Sequence, residues 1–201
     1  MLNFKSFLKE STSEHGVLGF TRMNPPHRGH EEVVNTIHSV AKKHNASHQL
    51  VLSRSQDKKK NPLSPEDKLK HAKRAFPETN IKLATKEAPT ILHHAADMYK
   101  KGVRHLHIVA GSDRHEELSS LLNKYNDGEE HKHGKFKFKS ITMHSSGERD
   151  DDAEGVKGIS ATKVRALAAA GKKKEFHASL STKMKPEHKE ELYNDLRKAM
   201  N

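Results

Sequence analysis

The feature that most limits how this chain can fold is a repeated alternation of short apolar runs with longer segments whose apolar residues recur at helical spacing. Val17–Thr21, preceded by Gly16, is compact and apolar enough for a buried strand. A helix is expected from Gly29 to about Lys43, with Val33, Val34, Ile37 and Val40 along one side. Gln49–Ser53 reads as the second strand. Ser64 followed by Pro65, Glu66 and Asp67 is a helix start: a hydroxyl to cap, a proline where no N–H is needed, and acids against the partial positive charge of the first turn. That helix runs to about Phe76 and stops before Pro77.

The pattern continues with a strand at Ile81–Ala84 and a helix at Thr90–Lys101 closed by Gly102. A strand at His105–Ala110 and a helix at Asp113–Lys124 follow, then a polar loop, NDGEEHKHG, and a fifth strand at Phe136–Met143. An acidic stretch, Gly147–Gly155, leads to a helix beginning near Ser160. Pro186–Met200 reads as an exposed, charged amphipathic helix, and Lys172–Lys174, His177 and Lys183 as solvent-facing bases. Together these elements predict an α/β fold: a Rossmann-like parallel five-stranded sheet with helices on both faces, plus a C-terminal helical extension. The expected divisions are an N-terminal helical extension (1–15), the α/β domain (16–171) and a basic C-terminal helical tail (172–201). Ligands of such sheets bind beyond the carboxyl ends of the strands, where the strand order reverses, so the segments after the first and fourth strands are the places to look for chemistry.

The string after the first strand is GFTRMNPPHRGH. Pro25 and Pro26 stiffen a loop that runs into the helix opening at Gly29-His30. Gly29 allows close approach of backbone or ligand. His27 and His30 can both face one oxyanion, and the helix N-terminus adds N–H groups and partial positive charge. Such a set suits a phosphate whose charge grows in a transition state. A second string, Gly158-Ile159-Ser160-Ala161-Thr162-Lys163-Val164-Arg165, places a capping serine, a hydroxyl and two bases within the first turns of a helix. Arginine can grip two phosphate oxygens at once.

Composition narrows the partners. The 201 residues are 32% hydrophobic, carry a net charge of +11 and include no cysteine, so disulfides and thiolate chemistry are excluded. No run approaches the ~20 apolar residues of a membrane span, and the start, MLNFKSFLKES, lacks the apolar core of a secretory signal, so a cytoplasmic protein with no membrane partner is expected. That start reads instead as a short amphipathic helix packed on the body. The charge suits a polyanion. The lysines are scattered along the helices rather than interleaved with aromatics, which favours phosphate-bearing small molecules over nucleic acid. His93, His94 and Asp97 share a helix face and His105 and His107 alternate on a strand, but no metalloprotease-like string occurs. The histidines outside the HRGH string therefore read as scattered surface residues, with no dedicated metal site expected. The absence of GxxxxGK[ST] excludes a P-loop.

The two strings together resemble the paired HxGH and ISSTxxR motifs of the nucleotidyltransferase superfamily, with Ala161 in place of the second serine. That superfamily includes the nicotinamide mononucleotide, pantetheine-phosphate, glycerol-phosphate and choline-phosphate enzymes. The chain is especially similar to cytidylyltransferase-like proteins of large tailed phages, in which an RMNPP string followed by GH recurs. The resemblance covers about Val17 to Gly171 and implies transfer of a nucleotidyl group from a nucleoside triphosphate to a phosphate-bearing acceptor, with Mg²⁺ as cofactor. It implies catalytic roles for His27, His30 and Arg165. It also implies nucleotide contacts from Gly19, Phe20, Thr21, Gly29, Ser160, Thr162 and Lys163. The VAGSDRHEEL string matches the adenine-ribose region, where Gly111, Ser112 and Asp113 would bind base or ribose. SRSQDKKKNPLSPEDKL is similar to the part of nicotinamide mononucleotide adenylyltransferases that carries an NP-[FL]-[ST] string. That likeness implies Arg54, Asp57 and Asn61 on the acceptor side, with Arg22 nearby, and favours ATP with nicotinamide mononucleotide over CTP with a phosphorylated alcohol. A non-catalytic module of the same fold, binding nucleic acid or an assembly, is the reading from a different class.

Overall fold

The computed structural model describes residues 13–147 and 159–201. The expected N-terminal helix and most of the acidic stretch, with Gly158, lie outside the described residues. Five strands, β1 (His15–Thr21), β2 (Ser47–Leu52), β3 (Ile81–Leu83), β4 (His105–Ala110) and β5 (Ser140–Ser145), form one sheet in the order β3-β2-β1-β4-β5. Every neighbouring pair is parallel. The helices are α1 (Glu31–His44), α2 (Pro65–Ala75), α3 (Ile91–Lys100), α4 (His115–Lys124), α5 (Ala161–Ala169), α6 (Lys173–Ala178) and α7 (Pro186–Met200). Among the described residues no helix is long and apolar enough to cross a membrane.

β1 lies at the centre, and its continuous apolar run follows from burial on both faces. Val17 points into a core shared with Ile37 and Val40 of α1, Ala72 of α2, Val164 of α5 and Leu192 of α7. Its neighbour Leu18 points to the opposite core, with Leu92 and Ala95 of α3 and Leu118 and Leu122 of α4. Gly19 faces the first core so tightly that a Cβ there would stand 2.8 Å from both Ile37 and Leu50, so this glycine is what lets α1 sit down on the sheet. The chain builds outward from β1 through β2 to β3, then crosses to the other side for β4 and β5. The order therefore reverses between β1 and β4, and their carboxyl ends flank the crevice expected of this architecture.

Two elements differ from expectation. The fifth strand begins at Ser140 rather than Phe136. Phe136 and Phe138 are buried, but their backbone groups are taken by the loop before the strand. Asn126 accepts from the Phe138 N–H at 2.7 Å and donates to its carbonyl at 3.1 Å, and Gly128 N–H donates to the Phe136 carbonyl at 3.0 Å. Pairing with β4 can start only beyond them, at His105–Ser140. The second difference is at the C-terminus. α6 was not expected, and α7 is exposed on one face only. Phe176, Leu192, Tyr193 and Leu196 are buried in the same core as Val17 and Ile37, so residues 172–201 are built into the domain rather than appended to it. α7 is further tied to α2: Lys70 meets Asp195 at 2.9 Å and Glu191 at 3.0 Å, and Arg74 meets Glu191 at 2.6 Å. The expected surface position does hold for Lys172–Lys174 and Lys183, which are exposed.

Leu196 is fully buried between α7 and the sheet-facing helices. Leu196→Ala should lower stability by about 2–5 kcal/mol in urea unfolding, the range for a buried leucine truncated in a shared core. A change within error would mean that the C-terminal helices form no part of that core.

Candidate active site

The loop after β1 is held by its own side chains and by three distant segments. Met23 adopts a left-handed backbone (φ 44) with its side chain buried. Asn24, also buried, donates from Nδ2 to the Leu63 carbonyl and accepts at Oδ1 from the Leu63 N–H, both at 3.1 Å. Asn24 thus clips the β1 loop to the segment that precedes α2. Beyond Pro25 and Pro26, His27 caps a 3₁₀ turn, Arg28–His30, that leads into α1. The Gly29 N–H donates to His27 Nδ1 at 3.1 Å, and the His27 N–H donates to His30 Nδ1 at 3.1 Å. The two rings lie 3.8 Å apart between centroids, and both are buried. A ring nitrogen that accepts an N–H carries no proton, so each neutral imidazole bears its proton on Nε2. His27 and His30 are therefore both donors at Nε2 without needing to become cations.

The second string meets the first here. Ser160 caps α5, its Oγ accepting from the Lys163 N–H at 3.3 Å. Arg165, one turn on, donates from Nη1 to the Asn24 carbonyl at 2.8 Å and from Nη2 to Thr162 Oγ1 at 3.1 Å. A Cβ at Gly29 would stand 3.0 Å from both the Ile159 carbonyl and the His27 ring, so any larger residue would push the two strings apart. A third clamp comes from the C-terminal helices: the Arg28 N–H donates to the Ser179 carbonyl at 2.9 Å. Burial lowers the Arg165 pKa from the ordinary arginine value, Asp57 opposes that and Arg22 adds to it, but the guanidinium remains charged.

On the β2 side, Asp57 and Asn61 bond to each other within one turn. Asp57 accepts from the Lys60 N–H at 2.6 Å and the Lys59 N–H at 3.0 Å, and from the Asn61 side chain at 2.5 Å. The backbones of Asp57 and Asn61 also bond to each other. These bonds, the Lys60 N–H first and the Asn61 amide next, hold Asp57 at about 2, well below the usual carboxylate range. The pair shapes the turn that carries Lys58–Lys60, and Asp57 itself is exposed. Arg54 forms an exposed ion pair with Glu66 at 3.1 Å.

Lys68 is a residue that reading the sequence missed. It is fully buried on α2, its Nζ donating to the Ser53 carbonyl and more distantly to that of Ser55 at 3.4 Å, just past the end of β2. Burial, with the charges of Arg22 and Arg54 adding to it, lowers its pKa to about 8. The signal was present: Lys68 occupies the inward stripe of α2 with Pro65, Ala72 and Ala75, a row where an apolar residue is the rule. Arg22 and Arg54 both act on the Lys68 ammonium, and Arg22 also acts on Arg165, the cation bonded to the loop that carries the histidine pair.

The segment after β4 supplies the opposite wall of the crevice. Gly111 precedes a 3₁₀ turn, Ser112–Arg114, that enters α4, at the carboxyl end of the strand adjoining β1. Asp113 is exposed, and its Oδ1 folds back to 2.5 Å from where a Gly111 Cβ would stand. Phe20 and Thr21 end β1 beside this wall, the Thr21 carbonyl accepting from the Ser53 N–H at 2.9 Å. Gly19 serves packing, as described, and lies within the sheet ladder on both sides. Among the described residues, the one group of three or more His, Asp or Glu ligand atoms close enough to share an ion lies elsewhere. An Mg²⁺ ion that arrives on a triphosphate needs only one or two protein carboxylates beside the phosphates, and Asp113 is an exposed carboxylate at this wall.

By fold, then, the chain is a doubly wound α/β protein with a polar site at its switch point. No family model matches it, and no curated protein does.

Lys68 gives a pH test of the site's construction. Its folded pKa of about 8 lies below the ordinary 10.5, so between those values the unfolded chain binds more protons than the folded one. Its contribution to stability therefore rises as pH climbs from 8 toward 10.5. The stability difference between the native chain and Lys68→Met, followed by urea unfolding, should shift in the native chain's favour across that window. A difference that stays flat would show that Lys68 is not buried as a cation.

Proposed function

We propose that the chain is a nucleotidyltransferase that moves a nucleotidyl group, AMP first among the choices, from a nucleoside triphosphate to a phosphate-bearing acceptor. The observation that carries this reading is the bond from Arg165 to the Asn24 carbonyl. It joins the helix start at Ser160 to the His27–His30 pair, so that one triphosphate can span both.

In this mechanism an anionic oxygen of the acceptor phosphate attacks the α-phosphorus. A new P–O bond forms, the bond to the β-phosphate bridging oxygen breaks, and pyrophosphate leaves with the electron pair. His27 and His30 donate hydrogen bonds from Nε2–H to the α-phosphate oxygens as charge shifts onto them, while Ser160, Thr162, Lys163 and Arg165 receive the departing pyrophosphate. The attacking oxygen is already ionised, so no base and no covalent enzyme intermediate are required. Catalysis is positioning plus fixed electrostatics. Arg22, Arg54 and Lys68 supply the positive charge that draws the acceptor's phosphate. Gly111, Ser112 and Asp113 are the groups available to base or ribose. Because Asp57 and Asn61 bind each other, the support for the acceptor extends to its phosphate. The NPLS resemblance makes nicotinamide mononucleotide the first acceptor to try.

The test is pyrophosphate release from each of four triphosphates paired with nicotinamide mononucleotide, phosphopantetheine, phosphocholine and glycerol phosphate. One pair should turn over, and His30→Ala should lower its kcat by about 10²–10³-fold, the loss expected for one preorganised donor, with the unfolding midpoint little changed. A folded His30→Ala protein as active as the native chain would overturn the assignment.

A further inference from the structure

A second cluster of polar side chains lies at the opposite edge of the sheet, where the strands begin. His15 opens β1 and pairs in register with His105 of β4, and Val17 pairs with His107. Side chains two apart on a strand share a face, so His15, His105 and His107 all stand on the α1 side of the sheet. α1 ends on them with His44. The His44 ring stacks on His107 at 4.3 Å and on His15 at 4.9 Å between centroids. His15 Nδ1 lies 3.0 Å from His107 Nε2, and His107 Nδ1 lies 2.9 Å from His144 Nε2 on β5. The Ser13 hydroxyl, donating to the His44 carbonyl at 3.1 Å, holds the end of α1 against the start of β1.

Packing these rings together is costly unless they stay uncharged. Among the described residues no carboxylate bonds to the rings of His15, His44 or His107, and clustered imidazole nitrogens are what a borderline transition metal ion prefers. One ring nitrogen from each of His15, His44 and His107 lies within 4.8 Å of the others. Around a tetrahedral ion with N ligands at about 2.1 Å, those nitrogens would stand roughly 3.4 Å apart. The 3.0 Å pair is close to that spacing already. Half-buried His15 and His44 can turn to complete it, whereas His107 is buried and its other nitrogen is held by His144, as metal-bound histidines commonly are.

We propose that His15, His44 and His107 bind one divalent transition metal ion of the zinc class. His107 binds through Nε2 while its Nδ1–H donates to His144, and a water completes the tetrahedron. The ion ties the end of α1 to the first turns of β1 and β4. It lies across the sheet from the nucleotide crevice, so it does not depend on the proposed transferase reading. Two of the residues concerned were expected at the surface as scattered histidines, yet His107 is buried and His105 half-buried.

The full, tag-free chain, stripped with a chelator, is titrated with Co²⁺ and followed by visible absorption, then with Zn²⁺. The expected result is an absorption band of tetrahedral intensity that saturates at one equivalent, is displaced by Zn²⁺ and is accompanied by a higher Tm. His44→Gln, a half-buried position at a helix end, should keep the native far-UV spectrum and lose the one-equivalent band. His93→Gln, in a separate group of rings, should keep the band. No band, weak binding of several ions without saturation, or equal binding by the native chain and folded His44→Gln would overturn the proposal.

Discussion

The paired hydrogen bonds between the Asn24 amide and the backbone of Leu63 are the contact on which the rest of the site depends. They fix the loop between β1 and α1, and they do so through both the oxygen and the nitrogen of one planar amide. The same residue's carbonyl then receives Arg165. One asparagine therefore sets the spacing of three segments: the HRGH turn, the segment before α2 and the start of α5. Leaving buried amide partners unmade costs about 1–3 kcal/mol each, so the clasp is also a reason for the loop to hold a single conformation.

On that frame the electrostatics divide into two kinds. The histidine pair contributes oriented dipoles: each Nδ1 accepts a backbone N–H, which puts the proton of each neutral ring on Nε2. Arg165 contributes net charge on the loop that carries the pair, and Arg22, Arg54 and Lys68 contribute it on the β2 side. On the proposed reading, a phosphate entering the crevice is drawn by the charges and positioned by the dipoles, and neither contribution waits on a proton transfer. Lys68 is the most constrained of these groups, since full burial lowers its pKa to about 8 and its ammonium is anchored on the end of β2. The C-terminal helices belong to the same frame. Ser179 holds the Arg28 backbone, and the bond survives only while α6 and α7 stay in the core.

Much of this was legible in the chain itself, for identifiable reasons. The parallel sheet follows from short apolar runs separated by helical segments, and the position of the HRGH turn after the first of them follows directly. Ser64-Pro65 and Ser160 announce their helices by local capping chemistry, which needs no tertiary context. What was not legible depends on distant partners. Phe136 and Phe138 look like strand residues until Asn126 and Gly128 take their backbone groups. That Asp57 and Asn61 bond to each other across a turn is likewise visible only once the turn is folded. The fold role of 172–201 was hidden because α7 is charged over most of its surface, while Leu192, Tyr193 and Leu196 make a narrow buried stripe. Histidine gave the weakest signal. With 17 of them in the chain, spacing alone could not separate the pair at the crevice from the group that α1 brings onto the start of β1 and β4.

The central claim is that His27 and His30 are held as neutral donors before any ligand arrives. Long-range ¹H–¹⁵N spectroscopy of the imidazole rings at neutral pH, with the two residues assigned by comparison with His27→Gln and His30→Gln, reads this directly. The account predicts that both rings carry their single proton on Nε2. A proton on Nδ1 of either ring, or an imidazolium at either position, would contradict it.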